Sequence, residues 1–276
     1  MQAALTAAGH EGAQSGNGVF IKPTNDIEID FYSAILERES PILDIAPVYM
    51  GTLEPQTDNG KRCIVLEDIL HSFVNPNILD IKLGSILWDE HANDDKRARL
   101  KAVSDSTTSG SLGFRIAGMS VIQTDGTRKT YGKAFGREGC DASNVGEFLA
   151  HFFPYKDEYS HAVKDSLLQH LKNIYKIVAS ENVEMHSASV LLVYEGDHEV
   201  LLAKIHDQDN PQKENCVQEN ENSDDDSDDD SDDETNQLIL AAKLIDFGHA
   251  KFVDAPYPDL VNGLKRLVDE WNRIPL

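Results

Sequence analysis

Cysteine is scarce in this chain of 276 residues: Cys63, Cys140 and Cys216 lie far apart, and none sits in CxxC spacing. That leaves no basis for a disulfide framework or a zinc ribbon, and a reducing compartment is expected. No apolar run approaches the roughly 20 residues needed to cross a bilayer. The N-terminus, MQAALTAAGHEG, lacks the basic and apolar regions of a secretory signal. Nucleus and cytoplasm are the expected locations. Positive charge is also short, with 25 Lys and Arg against 48 Asp and Glu. A direct nucleic-acid binder needs a basic surface, so that class is set aside. Heptads and internal repeats are missing, and a monomer is expected.

What is present is ordinary for a globular protein: 40% apolar and 26% charged residues. The length allows one large domain or two lobes around a real core. Charge is unevenly spread. The stretch ENENSDDDSDDDSDDE, residues 219–234, holds eleven acidic residues and no basic one, and without it the formal charge of −23 falls to −12. Such a self-repelling, low-complexity segment is expected to be a disordered insertion over 207–236. Ser223, Ser227 and Ser231 each precede three acidic residues, a pattern suited to acidophilic protein kinases as well as to a plain solvated loop.

Runs at strand length flank the insertion: ASVLLVYEG, then EVLLAKIHD, and LILAAKLIDFGHA beyond it. They read as neighbouring strands of one sheet. GVFIKP and RCIVLEDI also read as strands, and RIAGMSVIQTDGTRKTYG reads as a hairpin turning at Asp125-Gly126. EIDFYSAILER has helical spacing. Val163, Leu167, Leu168, Leu171, Ile174, Tyr175 and Val178 form one apolar helical stripe, and Leu260, Leu264, Leu267, Val268 and Trp271 another. The class is α+β.

Four features carry chemistry. Gly9, Gly12, Gly16 and Gly18 precede a strand ending in Lys22. Glycines allow close backbone approach to phosphates, whose charge a lysine meets, although small flexible N-termini have the same composition. Glu28 opens the following helix, where it can pair with Lys22 as in protein kinases or simply favour the helix dipole. In PNILDIKLG, residues 76–84, Asp80 and Lys82 are two apart and so share one strand face. Buried charges must be paired or bound to something polar, so this is either a structural ion pair or a site. In LIDFGHA, Asp246 ends an apolar strand, a setting in which a carboxylate can hold Mg²⁺. No HRD catalytic loop occurs, so an ordinary protein kinase is excluded.

Together AGHEG (8–12), EIDFY (28–32), VLED (65–68), PNILDIKLG, SLGFRIAGM (111–119), ASVLLVYEG (188–196) and LIDFGHA (244–250) resemble the inositol polyphosphate kinase family, most closely its fungal multikinases. The resemblance spans nearly the whole chain apart from the acidic run. It implies a two-lobed kinase-like fold: a nucleotide-binding lobe and hinge over 1–70, and a second lobe over 71–276. A small helical inositol phosphate-binding segment over 85–110 is implied within the second lobe. The cofactors implied are ATP and Mg²⁺, and the substrates soluble inositol polyphosphates. Inositol 1,4,5-trisphosphate would become tetrakis- and then pentakisphosphate.

The resemblance also assigns residues. Lys22 falls at the nucleotide-phosphate lysine with Glu28 as its helix partner, and Glu67 and Ile69 fall where the hinge meets adenine. Asp80 is placed at the ribose and catalytic alignment, and Lys82 between transferring phosphoryl and acceptor hydroxyl. Asp246 is placed as metal ligand, and Ser189 as the serine of the family's SSLL element. Lys96, Arg97, Arg99 and Lys101 in KRARLK are the implied phosphate-binding cluster, with a solvated helix face and a nuclear-localisation cluster as other readings. Lys129, Lys133 and Arg137 are lesser candidates.

Only 26 residues, 85–110, separate Gly84 from Ser111. Within the family, that short insertion implies an open, tolerant site. Two departures stand out: Gly248 replaces the usual Ala of DFAH, and SSLL reads Ala188-Ser189-Val190-Leu191. A rival expectation is a scaffold for transcription regulators, of the kind linked to arginine metabolism, with the acidic run meeting a basic partner.

Overall fold

The computed structural model describes residues 2–3, 12–55, 60–209 and 240–276, with backbone only at 2–3 and 204–209. The acidic run, its three serines, Cys216, Gly9 and all of AGHEG except Gly12 lie outside the described residues. Two antiparallel sheets organise the chain. The first, in the order β1-β2-β3-β5-β4, contains β1 (Gln2–Ala3), β2 (Gln14–Gly16), β3 (Val19–Pro23), β4 (Tyr49–Leu53) and β5 (Cys63–Glu67). β2 and β3 are joined by Asn17-Gly18, both with positive φ, as a tight two-residue hairpin requires. Helices α1 (Asp26–Glu37) and α2 (Ile42–Ile45) lie between β3 and β4. Asn25 caps α1 by accepting from the Glu28 amide.

The second sheet comprises β6 (Pro76–Leu83), β7 (Phe114–Ile122), β8 (Arg128–Tyr131), β10 (Ser189–Glu195) and β11 (Leu240–Ile245), in the order β11-β10-β6-β7-β8. Helices α3 (Asp94–Asp105) and α4 (Thr108–Leu112) separate β6 from β7. Then come α5 (Val145–Ala150) and the long α6 (Glu158–Ser180), and β9 (Val183–Met185), which pairs with β12 (Ala250–Phe252). The remaining helices are α7 (His198–Asp209) and α8 (Pro258–Asn272). The sheet pairings are all antiparallel, so the α+β class holds.

The second sheet has two unlike faces. Leu79, Ile81 and Leu83 of β6, Val190 and Leu192 of β10 and Leu244 of β11 are fully buried together with Leu167 and Leu171 of α6 and Leu264 and Trp271 of α8. The alternate residues, Asp80, Lys82, Ser189, Leu191 and Lys243, share the opposite face. That face looks toward the first sheet, for Lys243 donates to Ala46 O and lies 3.5 Å from Glu67. The apolar side chains of α1 and α2 belong to the same continuous core as α6 and α8. The first sheet is therefore anchored to the second by packing, not only by the connection after Glu67.

One expected strand is a helix. EVLLAKIHD lies in α7, whose first turn is capped by Asp197 accepting from the Glu199 and Val200 amides. Both edges of β10 are already taken, by β6 and β11, so the sheet has no place for it beside β10. Residues 207–209, expected to begin the insertion, still belong to this helix. Its short apolar run suits either structure, and the Asp cap decides it.

Below the end of β6, three glycines meet. Gly84, at φ +86, donates its amide to Gly113 O at 2.8 Å, and a Cβ on Gly263 of α8 would stand 2.3 Å from that same oxygen. Alanine in a helix interior normally gains about 1 kcal/mol over glycine. Here overpacking, which costs about 1–3 kcal/mol, opposes that gain. Gly263→Ala is therefore expected to lower the urea midpoint of unfolding, and a raised midpoint would contradict the close approach.

Candidate active site

Lys22 leaves β3 and points between two carboxylates. Its Nζ donates to Glu28 Oε1 at 2.9 Å and to Asp246 Oδ1 at 2.8 Å. Burial alone would lower this ammonium, but Asp246 and then Glu28 outweigh it and push it up to about 12. Glu28 is fixed in turn, accepting from the Phe247 amide at 3.0 Å and from the Thr24 hydroxyl. Lys82 comes from the second sheet: its Nζ donates to Ser187 O at 2.6 Å and stands 3.7 Å from Asp246 Oδ2. Both partners of Lys82 adopt left-handed backbone, Ser187 at φ +57 and Asp246 at φ +68. Strain of this kind persists where the surroundings over-determine it.

These four groups line one cavity of about 480 Å³, together with Asn25, Lys61, His186 and His249. The histidines are oriented from behind. His186 pairs Nε2 with Glu184 Oε1 at 2.7 Å and Nδ1 with Ile86 O at 3.0 Å, and His249 Nδ1 meets Asp89. Burial would raise Asp89, yet His249 first and then Lys96 hold it below the ordinary carboxylate range.

Asp80 lies on the cleft face beside Lys82 and is 4% exposed. The ion pair of Lys82 is with Asp246, at the end of β11 two strands away in the same sheet, rather than with its strand neighbour. Arg115 of β7 stands opposite Lys82 in the ladder and donates to Ser109 Oγ at 2.8 Å. Burial and Arg137 push this guanidinium down to about 10, with Asp80 opposing. Asp80 and Arg115 thus form a buried charged layer next to Lys82. Ser189 is also opposite Lys82, but its hydroxyl is fully buried and does not line the cavity.

The remaining expected residues are spread more widely. Glu67 and Ile69 lie at the far end of the cleft, where Ile69, Leu70 and Leu191 pack on Phe73, Val193 and Ala241 as a small apolar patch separate from the main core. Gly12 stands next to Pro23, at the charged end, whereas the Gly18 carbonyl accepts from the Asp68 amide at the apolar end. Lys96, Arg97, Arg99 and Lys101 do fall on a helix, α3, but none lines the cavity. Lys96 acts on the charge of Asp89, the partner of His249, and Lys101 is paired with Asp105 at 2.6 Å. Gly248 does not owe its identity to crowding, since a Cβ there would be 3.4 Å from Asn25 Nδ2.

Several residues in or behind the wall carried no expectation. Arg115 and His249 stand inside two of the motifs, SLGFRIAGM and LIDFGHA, and could have been read there. Asn25, Lys61, His186 and Ser187 give no pattern along the chain. The arrangement brings two ammonium groups, one from each sheet, to a single carboxylate at the end of β11. Among the described residues no group of three or more His, Cys, Asp or Glu encloses a metal. Asp246 nevertheless fits a hard divalent cation that takes its other oxygens from phosphates and water.

The profile of the inositol polyphosphate kinase family matches residues 63–270. The inositol polyphosphate multikinase of Saccharomyces cerevisiae is 34% identical over 256 residues, covering 70% of this chain and 72% of its own. That of Schizosaccharomyces pombe is 34% identical over 213 residues, covering 68% and 77%. The crystal structure of the S. cerevisiae inositol phosphate multikinase Ipk2 in complex with ADP and Mn²⁺ superposes with a TM-score of 0.73 at 30% identity, covering 92% of this chain and 98% of that one. The chain belongs to the inositol polyphosphate kinase family.

Proposed function

We propose that this protein is an ATP- and divalent-metal-dependent inositol polyphosphate multikinase, carrying inositol 1,4,5-trisphosphate to the tetrakis- and pentakisphosphates. The observation that carries the reading is the meeting of Lys22, Lys82 and Asp246 in one cavity. The similar yeast protein of known structure holds ADP and Mn²⁺. Adenine lies against the apolar patch around Ile69 and Leu191, near the Glu67 backbone. Lys22 meets the nucleotide phosphates. Lys82 faces the terminal phosphoryl, where its ammonium offsets charge that grows during transfer. The acceptor hydroxyl forms its bond to the terminal phosphorus as the bond to the bridging oxygen breaks, ADP leaves, and the hydroxyl's proton passes to solvent.

The divalent ion, held by Asp246 and phosphate oxygens, supplies charge neutralisation at the transferring group. A loose transition state asks little of a general base. Asp80 therefore serves alignment, with Arg115 beside it. Lys96, Arg97 and Arg99 of α3 lie outside the cavity wall and act by drawing the polyanionic acceptor toward it. The acidic run 219–234 is assigned to basic protein partners, transcription regulators among them, and the protein to nucleus and cytoplasm.

The central test is ADP release with inositol 1,4,5-trisphosphate, ATP and Mg²⁺, with products resolved by chromatography. Turnover beyond the tetrakisphosphate is expected, and Lys82→Ala should reduce kcat by about 10²–10³-fold. A folded wild-type protein that binds ATP without turnover would favour the scaffold reading. Glu28→Gln retains an acceptor for Phe247 but removes one of the charges on Lys22, and its KM for ATP should rise about tenfold. An unchanged ATP KM would remove Lys22 from nucleotide binding. Deletion of 219–234 should leave kcat within about twofold of wild type, well under the tenfold that 1.4 kcal/mol represents. A large loss would tie the run to catalysis.

A further inference from the structure

Lys61 precedes β5 and lines the cavity, yet it belongs to none of the family-like motifs. Three lysines share that wall. Lys22 is held by two carboxylates, and Lys82 lies close to Asp246 with its ammonium on Ser187 O. Lys61 is exposed and has no carboxylate within ion-pair distance among the described residues. It is thus a solvated cation at the mouth of a cavity whose other lysines are already engaged with the protein.

The cavity lining shows that it faces the site, and the ladder tells how far along the cleft it lies. β3 and β5 pair Lys22 with Ile64 and Val19 with Glu67, and the ladder continues past Pro23–Cys63 with the Thr24 amide donating to Arg62 O at 2.9 Å. Lys61 therefore lies next to Asn25, whose side chain donates to Gly248 O. At a strand rise of about 3.3 Å per residue, Glu67 is about 10 Å from Ile64 in one direction and Lys61 about 10 Å in the other. The apolar patch that suits a flat base is at the Glu67 and Ile69 end. With the base at the apolar end and phosphates at Lys22 and Lys82, as in the kinase reading above, Lys61 would lie beyond the terminal phosphoryl, on the acceptor side.

We propose that Lys61 is an acceptor-binding residue supplied by the first sheet, pairing with a phosphate of the inositol polyphosphate that is not taking part in transfer. This rests on the kinase reading above. Lysine suits such a contact, because a strongly hydrated point charge on a flexible stem can meet phosphates at several ring positions without fixing one geometry. The pairing sets the preference for highly phosphorylated acceptors and leaves the chemistry to Lys82 and Asp246.

The test is steady-state kinetics of wild type, Lys61→Gln and Lys61→Arg, varying inositol 1,4,5-trisphosphate and ATP in turn. Binding of the trisphosphate is measured separately by calorimetry with a non-hydrolysable ATP analogue present. Lys61→Gln should raise the acceptor KM and Kd about tenfold, with the ATP KM and kcat unchanged, and Lys61→Arg should restore most of the loss. High salt should shrink the difference between wild type and Lys61→Gln, since the contact is exposed. An unchanged acceptor KM and Kd in Lys61→Gln overturns the proposal while leaving the kinase reading intact. A rise confined to the ATP KM also overturns it, placing Lys61 on the nucleotide. A wild-type protein that neither binds nor phosphorylates the trisphosphate overturns the kinase reading and this proposal with it.

Discussion

A buried ammonium is tolerable only where carboxylates meet it, and Lys22 is met by two that come from distant parts of the chain. Glu28 arrives on α1, one turn after the Asn25 cap, and Asp246 arrives at the end of β11. The ion triad can form only when first sheet, first helix and second sheet are all in place. Asp246 is drawn into left-handed backbone there, and the neighbouring Phe247 amide is tied back to Glu28. Lys82 completes the arrangement from β6. Cleft geometry and charge balance are thus set by one cluster, and a single neutralised carboxylate disturbs both.

The two faces of the second sheet divide the labour. One is filled by α6 and α8 and supplies the burial that holds the fold together. The other carries Asp80, Lys82, Arg115 and Lys243, charges that a sheet face can hold only when something polar lies opposite. Part of that comes from Glu67 of the first sheet and from the Ala46 carbonyl after α2, both on Lys243. The polar ends of a nucleotide and a polyphosphate suit the rest.

Sequence patterns served where burial is periodic. The stripes of α6 and α8 and the hairpin at Asp125-Gly126 stand where spacing put them, because each side chain's environment repeats with its own element. The pairing of Asp80 and Lys82 was only half readable. A period of two gives their common face but not the partner brought in by another strand, which proved to be Asp246 at the end of β11 for Lys82. EVLLAKIHD misled because a short apolar run fits helix and strand alike, and the occupied edges of β10 are a tertiary fact. The four bases of α3 were placed on a helix correctly, but charge along a chain does not tell which way a helix faces. Lys61 had no local signal at all, since it reaches the cavity only through the pairing of β5 with β3.

The glycine junction beneath β6 has a bearing on how the length between β6 and β7 can change. Gly84 and Gly113 bracket α3 and α4, and the hydrogen bond between them joins the two ends of that excursion backbone to backbone. That neck is pressed against Gly263, and the segment beyond it is tied again to the rest of the fold where Ile86 O meets His186 and Asp89 meets His249. Lengthening such a closed excursion costs little, about 0.6 kcal/mol for each doubling. A longer or shorter excursion between the two glycines would thus leave the end of β6 in place, with Lys82 two residues upstream of the neck.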